Sequence, residues 1–346
     1  MKGEFIYPFT AIVGQAQMKQ ALILNLIYPQ IGGVLIKGEK GTAKSTAVRG
    51  LSDVMPPRYE NKVCLYHCLP EASDYWCDDC KNKQSQDTKT ARLQVVTLPI
   101  GASEDRVLGT IDIEKAIKKG EKHFEPGILA YANNGILYVD EINLLDDHLV
   151  DLLLDCAAMG VNTVEREGIS FKHPSRFTLI GTMNPEEGDL RPQLLDRFGL
   201  MVTVESERDV SVRTEVVKRR IAFENDPEGF CRQYENEQKD LGEKICEAKL
   251  RLRNVKYSDS IVETIARIAI GLGVDGHRAD ITMLKTAQAQ AAFEGRSEVT
   301  QEDIVLAAAL CLPHRMRKLP FDDMVFDIEW IQKIIEGNYD GSFVSL

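Results

Sequence analysis

Gly38-Glu39-Lys40-Gly41-Thr42-Ala43-Lys44-Ser45 is the stretch that most narrows what this chain can become. It follows the apolar run Val34-Leu35-Ile36 and leads into Thr46-Ala47-Val48-Arg49, which suits a helix. Strand, glycine-bearing loop, Lys-Ser and helix form the context that a phosphate-binding loop requires. Backbone N–H groups in such a loop converge on one concavity, and the helix that follows adds its positive dipole end. Residues Gly38 to Thr46 are then expected around the phosphates of a nucleotide, with Lys44 at the outer phosphates and the Ser45 hydroxyl on Mg²⁺. Ala43 stands where glycine usually precedes the lysine. Alanine fits if it belongs to the helix start, where it would take right-handed angles, and that is the expectation. An ordinary glycine turn after a strand is the plain alternative.

A length of 346 residues allows about two domains of ~100–200 residues each. Hydrophobic content of 44% and charged content of 27% are those of a globular protein. No run approaches the ~18 apolar residues of a membrane span. Met1-Lys2-Gly3-Glu4-Phe5 lacks the apolar core of a secretory signal, so a cytoplasmic location is expected. A net charge of −11 with no dense basic stripe argues against a nucleic-acid partner. In that compartment the eight cysteines predict reduced thiols or metal ligands before disulfides.

Along the chain, Met18, Ala21, Leu22, Leu24 and Ile27 share a broad helical face. Residues 58–91 are polar, bear cysteines and have little periodicity, which reads as a loop-rich insertion. Val95–Leu98, Ile136–Val139, Phe177–Ile180 and Leu200–Val204 read as strands, and a helical piece is expected around Ile111–Lys119. Two β-rich runs flank Glu167-Gly168 as a modest hairpin signal. Strands alternating with helices to about residue 205 predict an α/β domain, residues 1–205, with a largely parallel sheet. Beyond it, 206–346 reads as an all-α domain with helices at Ser258–Leu272, Ala279–Glu294 and Gln301–Leu312. Thr300-Gln301-Glu302-Asp303 is a capping box for the last of these.

Asp140-Glu141 ends a buried strand, at the edge where α/β sheets hold ligands. Asp140 would assist Mg²⁺ and Glu141 would orient or deprotonate the attacking water. A helix N-cap also favours Asp. Asn184, at the end of Thr178–Met183, could hold that water or touch the terminal phosphate, although Asn-Pro is also a turn signal. Arg191 and Arg197 are candidate phosphate-reaching arginines, against a surface ion pair between Asp196 and Arg197.

Taken together these residues resemble the AAA+ ATPases and, within them, the magnesium chelatase subunit I family. The resemblance rests on Pro8-Phe9 through Gly14-Gln15, the phosphate loop, Ser103-Glu104-Asp105-Arg106 and Gly120-Glu121-Lys122 through Gly127. It continues through Tyr138–Leu145, Asn184–Gly188 and Arg191–Phe198, covering nearly everything from residue 8 to about 312. It implies a P-loop αβα sandwich with a parallel sheet, followed by a smaller helical lid. Residues 95–127 match the family's insertion and 160–176 its hairpin. By the same resemblance Asn184 matches the first sensor, Arg197 the arginine finger and Arg278 the second sensor. It further implies ATP bound between subunits of a homo-oligomeric ring, commonly a hexamer. A D-type AAA+/von Willebrand subunit and a large porphyrin-binding subunit would complete a magnesium or cobalt chelatase. A MoxR-like remodelling ATPase acting on a protein client and a nucleic-acid motor are the competing classes. Residues 321–346 receive no role.

Cys64, Cys68, Cys77 and Cys80 form two close pairs separated by eight residues, a shorter gap than in common zinc ribbons. Four thiolates at ~2.3 Å would suit structural Zn²⁺, with an iron–sulfur cluster as the soft-ligand alternative and free thiols as the plain one. This set departs from the family's photosynthetic members and points to a bacterial or archaeal relative. Cys156, Cys231, Cys246 and Cys311 read as packing residues, and no histidine is assigned to metal.

Overall fold

The computed structural model describes residues 5–83, 87–111, 124–166, 169–316 and 328–335. The helix expected around Ile111–Lys119, the Glu167-Gly168 turn and most of 321–346 lie outside these residues. Five strands form one parallel sheet in the order Leu200–Val204, Val34–Gly38, Thr178–Met183, Ile136–Val139, Val95–Leu98. Val34–Gly38 lies inside the sheet, so its two faces are both covered and a continuous apolar run is what its position demands. Val34 and Ile36 face one hydrophobic core while Leu35 faces the other, all with no solvent exposure. Gly38 ends that strand where a Cβ would collide with the Val204 carbonyl oxygen. Only glycine lets the two backbones pass so closely.

On one face, helix Asp147–Met159, the short helices Glu104–Leu108 and Ile128–Tyr131 and the hairpin Val161–Arg166/Ile169–Pro174 enclose the second core. The other face is covered by helices Ala16–Ile27 and Lys44–Val54 and then by the C-terminal helices. Ala16–Ile27 is therefore buried almost all round in its second half, from Leu22 to Ile27, because sheet and lid press on it from opposite sides. Its buried Asn25 is satisfied there, accepting from the Gly33 N–H and donating to the Leu179 carbonyl.

After Val204 the described chain is built from helices, and its β-type pairing is limited to a single bridge between Lys256 and Glu298. Asp259–Gly271, Arg278–Phe293 and Gln301–Cys311 match the expected lid helices to within about one residue, and the Thr300/Asp303 capping box forms. Ile328–Ile335 adds a short helix that buries Ile331 and Ile334 against this bundle. Val210–Asn225, Pro227–Gln233 and Glu235–Arg251 were not among the expected helices. The first buries no residue at all, so its sequence carries no apolar stripe to read. Lid and sheet do not have separate cores: Leu22, Ile36 and Val48 belong to the same cluster as Ile265, Met283 and Ala308.

The 58–91 insertion is more organised than its polar sequence suggested. Arg58–Asn61 pairs antiparallel with Thr88–Ala91, and Asp78–Lys83 is helical. Both strands are only four residues long and pair with each other alone, at the lower limit of length for alternation to be a signal. Arg58-Tyr59-Glu60-Asn61 and Thr88-Lys89-Thr90-Ala91 do not alternate apolar with polar.

Candidate nucleotide site

Parallel strands deliver their C-terminal ends to one edge of the sheet, so the loops after them share a cleft. Its cavity of about 600 Å³ is lined by Lys40–Thr46, Asp140, Glu141 and Asn184. Tyr7, Ile12, Val13 and Val216 give one part of the lining an apolar surface. The expected loop, carboxylates and amide are thus brought together. Gly38 and Glu39 stand just outside the lining. Glu39 instead offers its carbonyl to Lys44 and its carboxylate to the Ser206 hydroxyl.

Lys44 Nζ donates to the Gly38 and Glu39 carbonyls at 2.5 and 2.6 Å. Burial lowers its pKa, while Asp140, Glu141 and Glu39 oppose that shift. An ammonium held this way by loop carbonyls can swing to an anion without crossing the cleft. Lys40 pairs with Glu187 at 2.6 Å and with Glu141 at 3.4 Å, and these bonds raise its pKa. Ala43 corrects an expectation: it precedes the helix at φ 61°, ψ 17°, in the left-handed region. The loop must reverse there to aim its N–H groups inward, and that need overrides alanine's preference.

Two residues that sequence reasoning missed hold the carboxylates. Thr182 Oγ1 donates to Asp140 Oδ1 at 2.6 Å and accepts the Glu141 N–H at 3.1 Å. Tyr138 Oη donates to the same Asp140 oxygen at 2.8 Å, and burial raises the Tyr138 pKa. A polar Thr182 close to the C-terminal end of a buried strand was the available signal. Glu141 itself sits at φ 51°. Asn184 serves two purposes. It accepts from the Glu186 N–H, capping the turn its Asn-Pro dipeptide predicted, and it also lines the cleft.

The arginines fall elsewhere. Arg197 pairs with Asp155 at 2.6 Å and Asp151 at 3.0 Å, both on helix Asp147–Met159, rather than with Asp196. Asp196 is taken by Arg278 at 2.6 Å and by Arg315 at 3.3 Å. Arg191 pairs with Asp147. None of Arg191, Arg197 and Arg278 lines the chain's own cleft. Arg213 and Arg220, from helix Val210–Asn225, do line it and were not anticipated.

Arg315 was also missed. Its buried guanidinium donates to the carbonyls of Asp196, Phe198, Gly199 and Cys311, while the adjacent His314 donates Nε2–H to Phe198. The main chain on both sides of Arg197 is therefore fixed to the end of the lid.

The four cysteines of the insertion converge, with every Sγ within 4.8 Å of the others. None of the eight cysteines is in a disulfide. His67 is turned away from the sulfurs and pairs with buried Glu60 at 2.9 Å. Burial works to raise the Glu60 pKa, but bonds from His67 and Arg58 hold it below the usual value. Cys156 and Cys311 are buried packing residues as expected, whereas Cys231 and Cys246 are partly exposed.

Comparison with known proteins identifies the frame. The family model for magnesium chelatase subunit ChlI matches residues 110–193, and that for the AAA lid domain matches 262–334. A magnesium-chelatase subunit ChlI homolog of Methanocaldococcus jannaschii is 56% identical over 96% of this chain and 91% of its own length. The chain belongs to the magnesium chelatase subunit I family. ChlI of Euglena gracilis is 50% identical over 92% of this chain and 93% of its own. The 38 kDa magnesium-chelatase subunit of Chlorobaculum tepidum is 50% identical over 93% and 83%. Among solved structures, a chain in the complex between subunits BchI and BchD of magnesium chelatase superposes with a TM-score of 0.55. It is 46% identical, over 91% of this chain and 98% of that one. A Cytophaga hutchinsonii structure, 18% identical with a TM-score of 0.62, shares the fold over 95% and 91%. Family membership favours the chelatase reading over the remodelling and nucleic-acid motors considered above. Among the described residues no helix is long and apolar enough to cross a membrane.

Proposed function

We propose that this protein is the ATP-hydrolysing motor subunit of a chelatase that inserts magnesium, or cobalt, into a tetrapyrrole held by a partner. The observation that carries the reading is the convergence of Lys44, Ser45, Asp140, Glu141 and Asn184 on one cleft in a member of this family. Residues 1–205 act as the nucleotide-binding unit and 206–346 as its lid. In this scheme the loop N–H groups and Lys44 take the phosphates, and Ser45 and Asp140 hold the Mg²⁺ of MgATP. Thr182 and Tyr138 keep Asp140 oriented. Glu141 orients or deprotonates the water attacking the terminal phosphate, and Asn184 positions it.

Arg197 acts on a neighbour's ATP as the arginine finger, and Arg278 serves as the second sensor of the lid. The place of Arg197 outside its own cleft supports its role, because it points away from the phosphates of its own subunit's site. The assembly is a homo-oligomeric ring, for which a hexamer is the expected size. It works with a D-type subunit, as the BchI–BchD complex of the relative suggests, and with a large porphyrin-binding subunit, in the cytoplasm. Cys64, Cys68, Cys77 and Cys80 hold one Zn²⁺. Four sulfurs at ~2.3 Å around a tetrahedral ion lie about 3.8 Å apart, and Cys64 and Cys77 already stand 3.7 Å apart. A multi-iron cluster would hold them farther apart.

The test is reconstitution. ATPase and chelation are measured with candidate D-type and porphyrin-binding subunits, with Mg²⁺ and Co²⁺ supplied separately. Stimulated ATPase with metal insertion is expected, and Glu141→Gln should retain ATP but abolish both. Hydrolysis by Glu141→Gln at the normal rate would remove Glu141 from the chemistry.

A further inference from the structure

The 58–91 insertion takes no part in the nucleotide chemistry, yet it is tightly joined to the rest of the molecule. We propose that its zinc-loaded four-cysteine module is a brace. It would fix the paired strands Val161–Arg166 and Ile169–Pro174 and the entry turn of the Ile136–Val139 strand at the edge of the sheet opposite the cleft. The inference rests on the zinc reading above.

A segment this short cannot bury a core of its own, and the fully buried members of its apolar cluster are Tyr66, Cys68, Cys77 and the outside residue Ala130. A metal is the usual substitute. The sulfurs have donors aimed at them. The Tyr66 N–H reaches Cys64 Sγ and the Cys77 N–H reaches Cys68 Sγ, each at 3.3 Å, and Asn61 Nδ2 reaches Cys80 Sγ at 3.4 Å. Such donors orient metal-bound thiolates.

The same residues that surround the cysteines grip the domain. Tyr66, midway between Cys64 and Cys68, stacks on His173 of the hairpin with ring centroids 5.0 Å apart. Its carbonyl accepts from Asn133 Nδ2 at 2.6 Å, and the His67 carbonyl accepts from Asn134 Nδ2 at 3.1 Å. Tyr75, two residues before Cys77, lies under the Arg176 guanidinium at 3.6 Å. Across the hairpin Asn162 donates to the Leu108 carbonyl and meets His173 Nε2 at 2.9 Å, so both strands are tied to this contact.

Asn133 and Asn134 lead into the strand that Asp140 follows, and Arg176 leads into the one that Asn184 follows. The brace therefore holds the entries of strands whose exits carry the chemistry. Zinc sets the spacing of Tyr66, His67 and Tyr75, and through them the hairpin. ATP affinity is set at the other edge and does not depend on it.

The experiment uses the full-length protein, purified without chelator. Metal analysis is expected to find about one zinc per chain. Protein folded and active with no bound metal would overturn both the zinc site and the brace. Hydrogen exchange is then followed before and after zinc removal by a chelator under reducing conditions. Amides of 161–166 and 169–174 should exchange roughly tenfold faster without zinc, while helix Arg278–Phe293 and ATP affinity stay unchanged. Zinc present with hairpin exchange unaltered by its removal would overturn the brace and leave the zinc site standing. Tyr66→Ala separates the two further, since it keeps all four thiols: zinc should remain and the hairpin should loosen. A hairpin as protected as in the wild type, in a zinc-loaded Tyr66→Ala protein, would also overturn the brace.

Discussion

Ala43 shows how far a single backbone angle governs this site. A non-glycine residue in the left-handed region costs about 1–2 kcal/mol, and Ala43 sits there at φ 61°. Ala43→Gly removes that strain and gives back part of it as extra freedom in the unfolded chain. Stability should therefore rise by up to about 1 kcal/mol, with ATP affinity kept; denaturant unfolding that shows a loss would contradict the strained angle. Thr182 tests the carboxylate geometry. Thr182→Val keeps the shape but takes the hydroxyl from Asp140 and the acceptor from the Glu141 N–H. With about 1–3 kcal/mol at stake per buried polar group, kcat for ATP should fall roughly tenfold or more while KM moves little. A variant within about twofold of wild-type kcat would mean that Thr182 does not position Asp140 for turnover.

Among the elements, the end of the lid matters most, because it holds the main chain around Arg197. Burial pushes the His314 pKa down to about 3, with Arg315 adding to the effect and the Phe198 carbonyl opposing it. The folded state thus excludes a proton that the unfolded chain takes up below a pH of about 6.5. The stability that neutral His314 contributes is fully present above that pH and is lost as pH falls from about 6.5 towards 3, by at most about 1.4 kcal/mol per unit. Buried His173, also lowered, adds to the same trend. Unfolding free energy should be smaller at pH 5 than at pH 7. His314→Gln keeps a donor for Phe198 without a titrating group, so its pH dependence should be shallower; an equal slope in both proteins would rule out His314 as a source. Helices with an apolar stripe or a capping box, such as Gln301–Cys311, were legible in the sequence. Val210–Asn225 was not, since none of its residues is fully buried and it is held by its Asp209 cap, by ion pairs such as Arg219–Glu215 and by Phe223 packed on Tyr7 and Phe230.

For the whole molecule, the proposed scheme makes the cleft half of a catalytic site, and this can be tested by mixing. On that scheme Glu141→Gln loses the group that orients or deprotonates the water but can still offer Arg197 to a neighbour, while Arg197→Ala keeps Glu141. Each variant alone should be nearly inactive, and mixed rings should recover part of the ATPase; two inactive variants that stay inactive when mixed would argue against a finger acting across subunits. What the amino-acid sequence determined by itself was the chemistry that follows strands in fixed order. The loop carrying Lys44 and Ser45, Asp140-Glu141 and Asn184 each follow an apolar strand, and parallel strands must bring such ends to one edge. The four cysteines were legible for a similar reason, their short spacing limiting how far apart the sulfurs can lie. Only the tertiary structure decided contacts between parts distant in the chain. Among them are the core shared by sheet and lid, the hold of Arg315 on the carbonyls around Arg197, and the docking of Tyr66 on His173. Such contacts depend on which surfaces meet after folding, and no local period or propensity encodes the meeting.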